Sequence, residues 1–183
     1  RNYKRSVHVV VHCIVAFFTQ RRDLYGCLAT GCEAIECVQG IKQTLQSLLG
    51  CLQCIVAEVD GIPAGAAVAY DGADLNAFRD VTLKHIFNRT GKTHNIEDET
   101  DASEVYLDSI AVLPEYRGLG VGKKLLMALK EIAFNEYGKN LGLLVDFENP
   151  DAERLYKSVG FERVNVKDFL GHKMWHLIVN RPF

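Results

Sequence analysis

A chain of 183 residues that is 48% hydrophobic and 24% charged has the length and composition of one globular domain with a real core. A formal net charge of −2 excludes the basic excess of a general nucleic-acid binder, so no nucleic-acid partner is expected. No internal repeat or low-complexity tract divides the chain, and 1–183 reads as a single domain.

Val7 to Phe18 is an apolar run preceded by Arg1, Lys4 and Arg5, the outline of a signal peptide. It carries His8 and His12, lacks a small-residue cleavage site and is too short to span a bilayer. A buried strand is expected there, and no membrane partner. The six cysteines run from Cys13 to Cys54. Cys27, Cys32 and Cys37 repeat at a spacing that advances about 140° per step on a helix, so they share no face. Cys51 and Cys54 have no second close pair with which to complete a zinc site. Free cysteines and no metal are expected.

Gln53 to Val59 and Ile62 to Tyr70 read as strands joined at the hairpin dipeptide Asp60-Gly61. Leu75 to Asn88 has helical apolar spacing, and Thr90 to Ser103 is a polar loop. Val105 to Leu113 is a strand on which alternation puts Tyr106, Asp108 and Ile110 on one face and Leu107, Ser109 and Ala111 on the other. The next helix carries a stripe of Val121, Leu125, Leu129, Ile132 and Ala133, with Gly138 as its stop. Leu141 to Val145 is a short buried strand. Asn149 as N-cap and Pro150 at the first position start another helix, which Gly160 ends. Phe161 to Val166 and Lys173 to Val179 complete a mixed α/β sheet.

Three alternate glycines, Gly118, Gly120 and Gly122, stand between a strand and a helix, where bare N–H groups and the helix dipole favour an anion. A Walker loop would need glycine at Arg117 and Ser or Thr at Lys124. A dinucleotide fingerprint would need a small residue at Lys123 or Leu125. Neither fits.

What fits is Arg-x-x-Gly-x-Gly, filled by Arg117, Gly120 and Gly122. Upstream stands Leu107-Asp108-Ser109-Ile110-Ala111-Val112-Leu113-Pro114. Downstream, Asn149-Pro150-Asp151-Ala152-Glu153-Arg154-Leu155-Tyr156 leads to Gly160-Phe161. Together these resemble the GNAT superfamily of N-acetyltransferases, strongly over 104–166 and weakly before 50. The resemblance implies a GNAT-like mixed, mostly antiparallel sheet flanked by helices and splayed at its two central strands. Residues 1–50 match the family poorly, and 71–103 form a helix-plus-loop insertion. It also implies a cytoplasmic acyltransferase that moves an acetyl group from acetyl-CoA directly to a primary amine of a small molecule. Homodimers are common among such relatives.

On that reading Arg117, Gly118, Leu119, Gly120, Val121, Gly122 and Lys123 hold the pyrophosphate. Ile110, Ala111 and Val112 offer main-chain groups to the pantetheine arm, and Asn149 is an N-cap, a cofactor contact, or both. Tyr156 stands where the family's Tyr lies near the cofactor sulfur, and a phenol with an ordinary pKa of about 10 can protonate a thiolate. For the base that deprotonates the amine, Asp108 comes first, as an acid inside an apolar strand, and Glu104 second, at the strand's entrance. Glu97, Asp98, Glu99 and Asp101 join them in an acidic stretch, read either as a solvated loop or as a lip that attracts a cationic amine. His172 and His176 share a strand face that could line the acceptor pocket. Two other functions stay open: an acyl-CoA-binding sensor or scaffold without catalysis, and transfer to a protein N-terminus or lysine.

Overall fold

The computed structural model describes residues 7–11 and 53–182. The chain divides into two compact units, one of Arg1–Ile14, Leu52–Leu75 and Ile96–Phe183, the other of Val15–Cys51 and Asn76–Asn95. The described part of the second unit is mostly helix α1 (Leu75–Thr90), two residues longer than the apolar spacing predicted.

In the first unit seven described strands form one sheet. They are β1 (Val7–Val11), β2 (Gln53–Val59), β3 (Ile62–Asp71), β4 (Glu104–Val112), β5 (Asn140–Asp146), β6 (Glu162–Phe169) and β7 (His172–Val179). Their order is β1-β2-β3-β4-β5-β7-β6, and the β4–β5 pair is parallel while the other neighbours are antiparallel. Asp60 and Gly61 turn the first hairpin with φ of 54° and 79°, the doubly left-handed geometry that suits a twisted strand pair. Leu170 and Gly171 repeat it between β6 and β7 with φ of 53° and 80°.

Helix α2 (Val121–Asn135) buries the predicted stripe together with Leu126, and lies against β2, β3, β4 and β5. Leu125, Leu126 and Leu129 are fully enclosed with Val105, Leu141, Leu143 and Leu177. Each such leucine contributes on the order of 2 kcal/mol by burial, so packing outweighs the helix's uncapped start. Helix α3 (Pro150–Lys157) begins as predicted, with Asn149 Oδ1 accepting from the Ala152 N–H at 3.1 Å.

One expectation about β4 is corrected. Leu107 pairs with Ala69 and Ser109 with Val68, so Asp108 is the extra residue of a β-bulge. The alternation slips there. Val105 and Leu107, then Ile110 and Val112, face the α2 side, and Ile110 does not share a face with Tyr106. Simple alternation assumes an unbroken ladder, and the bulge breaks it.

The strand expected in Val7 to Phe18 is present over Val7–Val11, paired with β2. The rest of that run lies outside the described residues, as do the side chains on which the expectation for the cysteines rests. Among the described residues no helix is long and apolar enough to cross a membrane.

Candidate active site

The site is organised by a short seam. The β4–β5 ladder consists of Glu104 with Asn140, Val105 with Leu141 and Tyr106 with Gly142. Beyond Tyr106 the two strands part. β4 stays bonded to β3 through Ile110–Ala67, Ala111–Ala66 and Val112–Gly65, while β5 continues against β7 alone. Ile110, Ala111 and Val112 therefore stand on the wall of a cleft, with one strand edge outside any ladder among the described residues.

At the end of that wall the chain turns through Pro114–Tyr116 into the glycines. Arg117 Nε donates to the Val112 carbonyl at 3.2 Å and ties the loop to the tip of β4. Gly118 and Gly120 have φ of 76° and 79°, which L side chains rarely adopt. Gly120 is the N-cap of α2 and offers no side-chain acceptor, so the N–H groups of the first turn are left for an external one. A Cβ on Gly122 would stand 3.3 Å from Leu155 Cδ2, so that side chain would have to give by a few tenths of an ångström. Arg117, Gly118, Leu119, Gly120 and Lys123 are exposed, whereas Val121 is buried and anchors the loop. The arrangement is that of an anion cradle.

The predicted acid–base residues fall into three settings. Tyr156 is buried on α3, its ring tilted against Phe161 at 5.9 Å. Asp108 is half-buried at the bulge. Glu104 begins β4 as expected, but its carboxylate is enclosed: Thr100 Oγ1 donates to it at 2.7 Å, and His176 Nε2 lies 3.0 and 3.1 Å from its two oxygens. His172 is apart from His176, exposed and 3.3 Å from Asp146 Oδ2.

Tyr70 belongs to this region and sequence reasoning missed it. Its hydroxyl donates to Glu99 Oε1 at 3.1 Å, and its ring meets the edge of Tyr106 at 5.5 Å. Burial first, then the charges of Glu99, Tyr106 and Asp108, hold the phenol protonated far above its ordinary range. Glu99 and Asp108 thus act on one phenol. The only available signal was a tyrosine ending a strand, which means little until its neighbours are known. The rest of the acidic stretch is partly spent on anchoring. Glu97 accepts from the Leu170 N–H at 3.3 Å, the Asp98 carbonyl from Lys167 at 3.2 Å, and Asp101 from Ser103.

Helix α3, and with it Tyr156, is fastened to β6 by Glu153. This carboxylate accepts from Arg163 at 2.6 and 2.8 Å and pairs with Lys157 at 2.7 Å. The Arg163 guanidinium lies 4.0 Å over Trp175, which stacks on Phe147. The bonds from Arg163 and Lys157 lower the Glu153 pKa from 4.5 to about 2. A depressed carboxylate stabilises the fold above its unfolded pKa and loses that stabilisation as pH falls through the folded one. A Glu153→Gln variant should therefore melt below wild type at about pH 6, with the gap closing toward about pH 2. Thermal melts across that range check it, and a pH-independent gap would refute it.

Among the described residues no group of three or more His, Cys, Asp or Glu is placed to hold a metal. The chain matches the Acetyltransferase (GNAT) family over residues 42–161. It is 32% identical over 126 residues to a thialysine N-epsilon-acetyltransferase of Bos taurus, covering 67% of this chain and 60% of the bovine protein. The chain thus spans less than two thirds of that relative's length. A crystal structure of an acetyltransferase is 38% identical, with a TM-score of 0.58 over 70% of each chain. An aminoglycoside acetyltransferase in complex with coenzyme A shares the fold over 96% of this chain and 95% of its own, at 22% identity and a TM-score of 0.61.

Proposed function

The chain belongs to the GNAT family of acetyltransferases, and from that premise we propose that it moves the acetyl group of acetyl-CoA directly onto a primary amine of a small molecule. The observation that carries the reading is the open edge of β4 leading into the glycine cradle. Acetyl-CoA is the acyl-donor substrate. Its pyrophosphate takes the N–H groups of the Gly118 to Lys123 loop, with the Arg117 guanidinium beside it. Its pantetheine arm, which carries amides, lies along Ile110, Ala111 and Val112 as a substitute strand. Asn149 Oδ1 is committed to the α3 cap, so Nδ2 is the group left to meet the donor.

The acceptor nitrogen attacks the thioester carbonyl carbon as a neutral amine, a C–N bond forms and the C–S bond breaks. Asp108, directly or through a water, takes the proton that the ammonium gives up. Tyr156 gives its phenolic proton to the departing thiolate, and the N–H proton that the nitrogen sheds as the amide forms passes through solvent to restore the phenol. Asp108 is favoured over Glu104 because it is half-buried at the bulge, just past the seam where β4 leaves β5, whereas the Glu104 carboxylate is fully enclosed. Glu99 and Asp108 add the negative charge that draws a cationic acceptor.

Release of the CoA thiol from acetyl-CoA, measured against a panel of diamines, amino acids, aminoglycosides and a peptide N-terminus, tests the proposal. Turnover with at least one small primary amine is expected. Bound acetyl-CoA with no amine-dependent thiol release would favour the sensor, and turnover with the peptide alone would favour protein acetylation.

A further inference from the structure

Glu104 and His176 are 0% and 3% exposed, and the proposed chemistry uses neither. They join β4 to β7 across the strand that lies between. Glu104 stands opposite Asn140 on β5, and His176 stands opposite Leu144 on the other side of β5. Gly142 separates them. A Cβ there would overlap Glu104 Oε2 and lie 2.7 Å from Oε1, so β5 is notched to let the carboxylate pass. Thr100 closes the cluster from the loop before β4. His176 Nδ1 is buried with no hydrogen-bond partner among the described residues, so Nε2 is the ring's donor; a proton on Nδ1 would bury an unmet donor.

Such a pair gives little net stability compared with apolar residues of the same volume, and fixing a register is one of the better-attested uses of buried polar groups. The seam it crosses has three residue pairs, too few to define register strongly through backbone bonding. We infer that Glu104, His176 and the Gly142 notch form a strap that fixes β4 against β5 and so sets where the cleft opens. Glu104 and His176 are then positioning residues for the pantetheine arm. A one-residue slip would carry Ile110 to Val112 and the Asp108 bulge about 3.3 Å along the cleft, well beyond the ~0.5 Å tolerance of a working site.

The inference rests on acetyl-CoA being the donor, and its test reads binding. Calorimetry would compare acetyl-CoA with the nucleotide end of CoA, which reaches the glycine cradle but lacks the pantetheine arm. The proteins are wild type, Glu104→Gln, Gly142→Ala and the apolar double variant Glu104→Met/His176→Leu. The double variant is expected to keep cooperative unfolding, to lose acetyl-CoA affinity about tenfold or more, and to keep nucleotide affinity. Glu104→Gln, which still bonds Thr100 and His176, should keep both affinities. Gly142→Ala should follow the double variant, which decides the matter if the alanine does not fold.

Equal acetyl-CoA affinity in wild type and double variant overturns the strap. A parallel loss of both ligands overturns it too, because that marks a general structural role. So does a double variant that cannot fold beside a folded Glu104→Gln. Failure of wild type to bind acetyl-CoA overturns the donor assignment itself, a result distinct from the other three.

Discussion

Asp108→Asn is expected to lower kcat/KM for the amine by about a hundred- to ten-thousand-fold at neutral pH, the range that a positioned general base supplies. The bulge gives the reason. As the extra residue of β4, Asp108 is released from strand alternation just past the seam, half-buried, with its charge acting on the Tyr70 phenol. An amide is nearly isosteric with the carboxylate but cannot take the proton. The deficit should shrink as pH rises toward the amine's own pKa of about 10, because the acceptor then arrives deprotonated. Acetyl-CoA affinity should not change. Rate profiles from neutral to alkaline pH check this, and a variant profile that superimposes on wild type removes Asp108 from the role.

Tyr156→Phe comes second. The ring stays in the core against Phe161, so the fold should be retained while the hydroxyl is lost. Expulsion of an unprotonated thiolate is slower, and kcat should fall by about a hundredfold or more with acetyl-CoA binding changed by less than about twofold. Steady-state kinetics beside a binding titration separate the two quantities. Unchanged turnover on the best amine of the panel would leave Tyr156 as a packing residue.

Much of this was legible in the chain because the signals are local. Asp60-Gly61 dictates a tight hairpin wherever it falls between strands, and it turns β2 into β3. Asn149-Pro150 starts a helix through its own side chain and ring, and the Val121 to Ala133 stripe finds the core through its spacing alone. What stayed hidden depends on pairing. The bulge at Asp108 is a property of β4 and β3 together. The Glu104–His176 contact joins residues 72 apart in sequence, and Gly142 reads as an ordinary small residue until a carboxylate is found beside it. Both strands of the β6–β7 hairpin were legible but their tight turn was not: Leu170 takes a left-handed conformation that leucine seldom adopts, so only Gly171 marks the turn.

The parting of β4 from β5 also bears on self-association. A strand edge left open at the rim of a sheet can be capped by any passing polypeptide, which is why rims are usually blunted with charge, twist or bulges. In this sheet the open stretch of β4 is interior, with β3 bonded to its other side and β5 departing from the same seam. The stretch of β4 outside the β4–β5 ladder therefore lies within the sheet rather than along its outer rim, where a neighbouring chain would meet it first.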